Sequence, residues 1–189
     1  MALKDTFVSV LKNAYAARID FNYVATTGTV LSLRGAHFSQ IGNLISKGTL
    51  DVQTDATLPA GIAKYTALSG GDATANTFYV CSAPPRGRLF EGLIVHEAVH
   101  AVFDIYQTTV EWIDNEAIAY IAQGFYLKFV GFDENNLSSV SQPYFGLQLA
   151  KSVSADGVLD DFWLQALRES LSSDPLYHDY IRKTFRGDG

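Results

Sequence analysis

Two of the four histidines in the 189-residue chain stand four apart around a glutamate, in His96-Glu97-Ala98-Val99-His100. They sit inside "GLIVHEAVHAVFDIY", a stretch that is otherwise mostly apolar. On an α-helix residues four apart lie one turn above each other, so the two imidazoles can face one point while Glu97 flanks it. Neutral imidazole nitrogens suit zinc, and two of them fix half of a tetrahedral shell. Two buried imidazoles and a carboxylate each need a partner, and one metal ion with its water satisfies all three. The alternative is a pair of core histidines bonded to carbonyl oxygens.

A catalytic zinc needs a third protein ligand. Asp104 continues the same helical face, but it lies eight residues beyond His96, about 12 Å along a helix axis, and fits a supporting role better. The segment "IDNEAIAYIAQGFYLKF" is apolar on nearly every side, and Glu116 is the candidate ligand in it. The periodicity places Glu116 in the first turn of a helix over 115–130, where the dipole favours a carboxylate and where Asp114 or Asn115 can cap. Glu111 and Asp114 stay open as alternatives, as does a plain helix-start role for Glu116.

These residues resemble the zincin metallopeptidases, and among them the gluzincin branch that includes thermolysin-like enzymes. The likeness covers about residues 77–130. It implies a zincin-like α+β fold, Zn2+ as cofactor, His96, His100 and Glu116 as metal ligands, and Glu97 as general base. A branch with a third histidine six residues after His100 is excluded, because that position is Tyr106. The likeness also implies an edge strand just upstream of the metal helix that binds extended substrate, a role for which "NTFYVCS", with Asn76, Thr77 and Tyr79, is placed. A further donor to the developing oxyanion is expected from Tyr120, Tyr177 or His178. His37 is read as a loop or helix-start residue without a catalytic role.

The elements that must position these groups follow from pattern. Leu3, Phe7, Leu11, Ala14 and Tyr15 predict an amphipathic helix over 3–17. Residues 26–85 are sheet-rich, with "TVLSLR", "TLDVQT", "IAKYTAL" and "TFYVCS" as strands and "AHFSQIGNLISK" as a helix among them. "SGGDATAN" predicts a turn, and the prolines of "SAPPRG" end a strand. Residues 88–186 predict helices over 88–106, 115–130, 141–153, 158–172 and 175–185, separated by "GFDENN", "SADG" and "SSDP". The expectation is one α+β domain over 1–189: an N-terminal mixed or antiparallel sheet, a helical C-terminal half, and the cleft where the halves meet.

Composition narrows the function. Fourteen basic and twenty acidic residues give a net charge of −6 with no basic cluster, which argues against nucleic acid and anionic membranes as partners. The first twenty residues carry Lys4, Asp5 and Lys12 and predict no secretory peptide, and no apolar run reaches the roughly 20 residues that span a bilayer. One cysteine, Cys81, allows no internal disulfide, and a cytoplasmic location is expected. A di-iron bundle would need a second Glu-x-x-His unit, which is missing, and no G-x-S-x-G elbow is present. The expected activity is therefore zinc-dependent hydrolysis of peptide or protein substrates. The rival is a zincin-like binding module without catalysis, its metal structural or absent.

Overall fold

The computed structural model describes residues 2–67, 74–84, 87–154 and 157–187. Residues 69–73 of the expected turn, Leu68, Pro85, Arg86, and residues 155 and 156 of the "SADG" break lie outside them. The architecture is α+β, with helix α1 (Leu3–Leu11) followed by strands β1 (Asp20–Val24) and β2 (Val30–Arg34). Helix α2 (Gly35–Lys47) leads to strands β3 (Asp51–Asp55), β4 (Ala63–Thr66) and β5 (Thr77–Cys81). Then come α3 (Arg88–Ile105), β6 (Thr109–Glu111), α4 (Trp112–Phe129), α5 (Gln142–Ser152), α6 (Asp161–Ser173) and β7 (Thr184–Arg186).

The strands form three small sheets among the described residues, not one N-terminal sheet. β1 and β2 make an antiparallel hairpin, β5 lies between parallel β3 and antiparallel β4, and β6 pairs with β7. This placement overturns the edge-strand expectation. β5, which carries Thr77 and Tyr79, is buried at all five positions and paired on both sides, so its backbone has no edge to offer. Among the described residues β4 pairs with β5 alone, and it is the strand of this sheet that lines the cleft.

Two helices are buried almost all round, α3 from Phe90 to Asp104 and α4 from Asp114 to Leu127. A helix apolar on every side belongs at the centre of a fold. α1 supplies Phe7, Val10 and Leu11, and α2 supplies Phe38, Ile41 and Ile45, to one buried cluster that also takes in Ile94, Val95 and Val99 of α3. Each such side chain withdrawn from water contributes about 1.5–3 kcal/mol. α5 closes the far side of α4 through glycine: a Cβ on Gly146 would lie 2.1 Å from the Tyr120 carbonyl oxygen, and one on Gly124 would lie 2.0 Å from the Gly146 oxygen. Only residues without a Cβ let the two backbones approach so closely.

The helices expected over 88–106 and 141–153 stand close to their bounds, the one expected over 158–172 begins three residues later, at Asp161, and the helix expected over 3–17 ends at Leu11. α4 begins three residues earlier than expected, with Glu111 at its N-cap. Glu116 is therefore beyond the first turn, and neither Asp114 nor Asn115 is the cap. No helix forms over 175–185; the chain runs there in consecutive turns into β7, whose Phe185 pairs with Val110 of β6. The sheet-rich region also starts earlier, at β1. No helix among the described residues is long and apolar enough to cross a membrane.

Candidate metal centre

Helix α3 ends at Ile105, and Gln107, with φ of 52°, turns the chain back through β6 directly into α4. That reversal lays α4 against α3 and returns Glu116 to the histidines. His96, His100 and Glu116 are each at most 7% exposed, and one potential ligand atom from each lies within 4.8 Å of the others. His96 Nε2 is 3.4 Å from Glu116 Oε2, and His100 Nε2 is 3.8 Å from Glu116 Oε1. The two imidazole planes stand at 80° with centroids 5.1 Å apart.

The competing carboxylates are engaged elsewhere. Asp104 accepts a hydrogen bond from the Tyr65 hydroxyl at 2.7 Å. Glu111 accepts from Thr184 Oγ1 at 3.2 Å. Asp114 is fully buried on a different side of α4, where Tyr23, the Thr26 amide and hydroxyl, and Arg168 all donate to it at 2.6–3.0 Å. Glu116 alone among these acids joins the histidine pair.

Asn115 is a member of the site that pattern reading passed over as a possible cap. Its Oδ1 is 2.7 Å from His100 Nδ1, so the ring donates from Nδ1 and keeps its Nε2 lone pair turned towards Glu116. A hydrogen bond on the far nitrogen is how proteins fix the tautomer of a metal-binding imidazole. The only sequence signal was adjacency to Glu116. His96 is held differently: the Tyr120 ring packs on it at 4.4 Å.

Burial sets the charge state of the cluster. It holds His96 and His100 below the ordinary imidazole range, and it pushes Glu116 above the carboxylate range. Burial also raises Glu97 to about 7, with the Glu116 charge adding to the rise; His96 and the Tyr65 backbone N–H, which faces the carboxylate, act in the opposite direction. Glu116 Oε2 and His96 Nδ1 have no hydrogen-bond partner among the described residues. Buried polar atoms are rarely left so. Two neutral imidazoles and one carboxylate with an unpartnered oxygen form a three-residue donor set that fits a divalent metal ion.

A cleft of about 330 Å³ opens onto the cluster, lined by His96, Glu97, His100 and Glu116. β4 contributes Ala63, Lys64 and Tyr65 to it, and α4 contributes Trp112 and Tyr120. The Cys81 amide donates to the Ile62 oxygen, which puts Ile62 and alternate residues after it on the side bonded to β5. Ala63 and Tyr65 therefore turn their backbone groups away from β5. Segment 174–187 supplies the remaining wall: Tyr177 meets Tyr120, hydroxyl to hydroxyl, at 2.5 Å, and Tyr180 and Phe185 pack edge-on against Trp112.

The oxyanion-donor expectation divides accordingly. Tyr120 and Tyr177 line the cleft, whereas the His178 side chain is 83% exposed, bonds Asp179, and does not reach the cluster. In a run of turns, neighbouring residues point to different sides, and the helix assumed over 175–185 gave no such guide. Neither Asn76 nor Thr77 is among the residues that line the cleft: Asn76 Oδ1 lies 2.9 Å from the Tyr65 hydroxyl oxygen, and Thr77 is fully buried. His37 accepts from the Arg34 amide at the start of α2, a helix-end role. A shallower depression along α6 lies away from all these groups. Comparison with protein-family models, with curated proteins and with solved structures finds no match to the chain.

Proposed function

We propose that this protein is a zinc-dependent hydrolase, a metallopeptidase of zincin type that cleaves peptide bonds. The observation that carries the reading is the convergence of His96, His100 and Glu116 donor atoms within 4.8 Å, buried beside Glu97 at the base of a cleft. His96 Nε2, His100 Nε2 and the Glu116 carboxylate would hold the ion, with Asn115 orienting His100. Bound zinc supplies a position for water, lowers that water's pKa towards about 7 and polarises a carbonyl.

The other groups take roles that follow from their placement. Glu97, raised by burial to about 7, is suited to accept a proton from the attacking water near neutral pH and to pass it to the departing amine. The paired hydroxyls of Tyr120 and Tyr177 hold two protons and one mutual bond, so one O–H is left to donate to the carbonyl oxygen as it gains charge. The outward-facing backbone of Ala63 on β4 offers an extended peptide a strand to pair with. The same chemistry would not need Glu97 if the metal were only structural, and a buried carboxylate without a task is costly.

The test is zinc content and hydrolysis of a mixed peptide pool by the parent and by Glu97→Gln. The parent should bind one zinc and cleave, and the variant should keep the zinc while losing about 10²–10⁴-fold in rate. Zinc binding with no Glu97-dependent cleavage would reject the peptidase reading and leave a metal-stabilised binding module.

A further inference from the structure

Helix α4 buries four amide or carboxylate side chains, and three of them are accounted for. Asp114 takes four donors, Asn115 bonds His100, and Glu116 faces the histidines. The fourth is Gln123, 2% exposed, whose Oε1 has no hydrogen-bond partner among the described residues. A buried amide oxygen without a donor costs stability. An apolar side chain would fill the same place without that cost, so the amide needs a reason.

Its complement lies across the interface with α3. Along the two helices His100 meets Asn115, His96 meets the Tyr120 ring, and a Cβ on Gly92 would lie 3.2 Å from Gln123 Cγ. α3 and α4 therefore run antiparallel, with Gly92 one turn before His96 and Gln123 one turn past Tyr120. A helical side chain leans towards the N-terminus of its own helix, so His96 and Gln123 lean towards each other where Gly92 has no side chain to intervene. His96 turns Nε2 to Glu116, and a neutral ring that keeps that lone pair for a cation carries its proton on Nδ1. His96 Nδ1 is buried and also has no partner among the described residues. One donor and one acceptor, both orphaned, thus occupy the same helix interface. A single water that accepts from Nδ1 and donates to Oε1 satisfies both.

We propose that Gln123 is a positioning residue for the metal centre: through one bridging water its Oε1 holds the Nδ1 proton of His96, keeping Nε2 turned to the ion, as Asn115 does directly for His100. The inference rests on the proposed zinc site and adds the group that orients the His96 ring.

Zinc affinity, read by competition with a chromophoric chelator, is compared in the parent, Gln123→Leu and Gln123→Glu. A positioning amide and a space-filling one give opposite orders. Leucine keeps the volume and removes the acceptor, so zinc binding should weaken by about 10–100-fold. Glutamate keeps an acceptor and strengthens it with charge, so Gln123→Glu should bind zinc at least as tightly as the parent. A second readout needs only the parent and the apolar variant. NMR of the zinc-loaded protein with isotope-labelled histidine should show two imidazole Nδ1 protons protected from exchange. Asn115→Ala should shift the one on His100, and Gln123→Leu should move the other upfield. Parent affinity in Gln123→Leu, weaker binding by Gln123→Glu than by Gln123→Leu, or a His96 Nδ1 proton indifferent to Gln123→Leu would each overturn the proposal. A parent that binds no zinc removes the proposed function and this inference together. Zinc binding and peptide cleavage that ignore Gln123→Leu remove this inference alone, and Gln123-dependent zinc binding without cleavage removes the peptidase reading alone.

Discussion

At the scale of single residues, the spacing of His96, Glu97 and His100 was enough to put two imidazoles on one face, because a helix repeats every turn whatever surrounds it. Asn115 was not legible in that way. Its bond to His100 depends on how α4 lies against α3, a tertiary relation without a local signature. Asn115→Ala should leave the fold intact and weaken zinc binding by about 10–100-fold, measured by competition with a chromophoric chelator; unchanged affinity would mean that the His100 ring is fixed by packing alone. Glu97 carries a pH prediction for the zinc-free protein. Its carboxyl titrates near 4.5 when unfolded and at about 7 when folded, so between those values the native state holds a proton that the unfolded chain has released. The stability contributed by neutral Glu97 is complete below the unfolded value and is lost as pH rises through the folded one. His96 and His100, lowered by burial, act in the opposite sense, costing stability as pH falls below the ordinary imidazole range. Glu97→Gln isolates the first effect: its melting temperature in chelator, relative to the parent, should climb between about pH 5 and pH 8, and parallel curves would contradict the assignment.

At the scale of elements, strands and helices with strong local patterns were legible, and elements defined by a partner were not. "TFYVCS" reads equally as an edge or a central strand, since β-branched and aromatic residues suit both; pairing with β3 and β4 on either side decided it. The three-residue strands β6 and β7 are too short to carry an alternation, and each exists through the other. The turns after Pro175 carry apolar residues at near-helical spacing, yet Phe185 is drawn to Trp112 and Val110 instead. The contact of α4 with α5 yields a prediction at this scale. Gly146→Ala would drive a methyl group into the Tyr120 carbonyl, one turn after Glu116, and the helices must part to admit it. A loss of about 1–3 kcal/mol in urea unfolding is expected. It should come with weaker zinc binding, because the same displacement moves Glu116 away from α3. A destabilised variant with full zinc affinity would show that α4 and α5 move without disturbing the cluster.

For the whole molecule, the succession of strand-like and helix-like patterns indicated an α+β chain, and the structure agrees at that level. The division of the strands into three small sheets was not legible, because which strands pair depends on contacts far apart in sequence. The same long-range character makes the cluster of His96, His100 and Glu116 a meeting point of segments apart in sequence. α3 and α4 pack on each other; beyond that contact α3 bears on α1 and α2, and α4 on α5, on α6 and, through Asp114, on the β1–β2 hairpin and Arg168. Under the proposed reading, a cation shared by His96, His100 and Glu116 would add a further tie between α3 and α4, and the unfolded chain has no preformed site to compete for it. Binding to the native state alone stabilises by about 2.7 kcal/mol at a free zinc concentration one hundred times Kd, equivalent to a rise of roughly 5–10 °C in Tm for a chain of this length. Thermal unfolding with zinc and with excess chelator should show that difference in the parent and lose it in His100→Ala. If the parent melts at the same temperature in both, zinc does not join α3 to α4, and the packing of the two helices alone holds the cluster together.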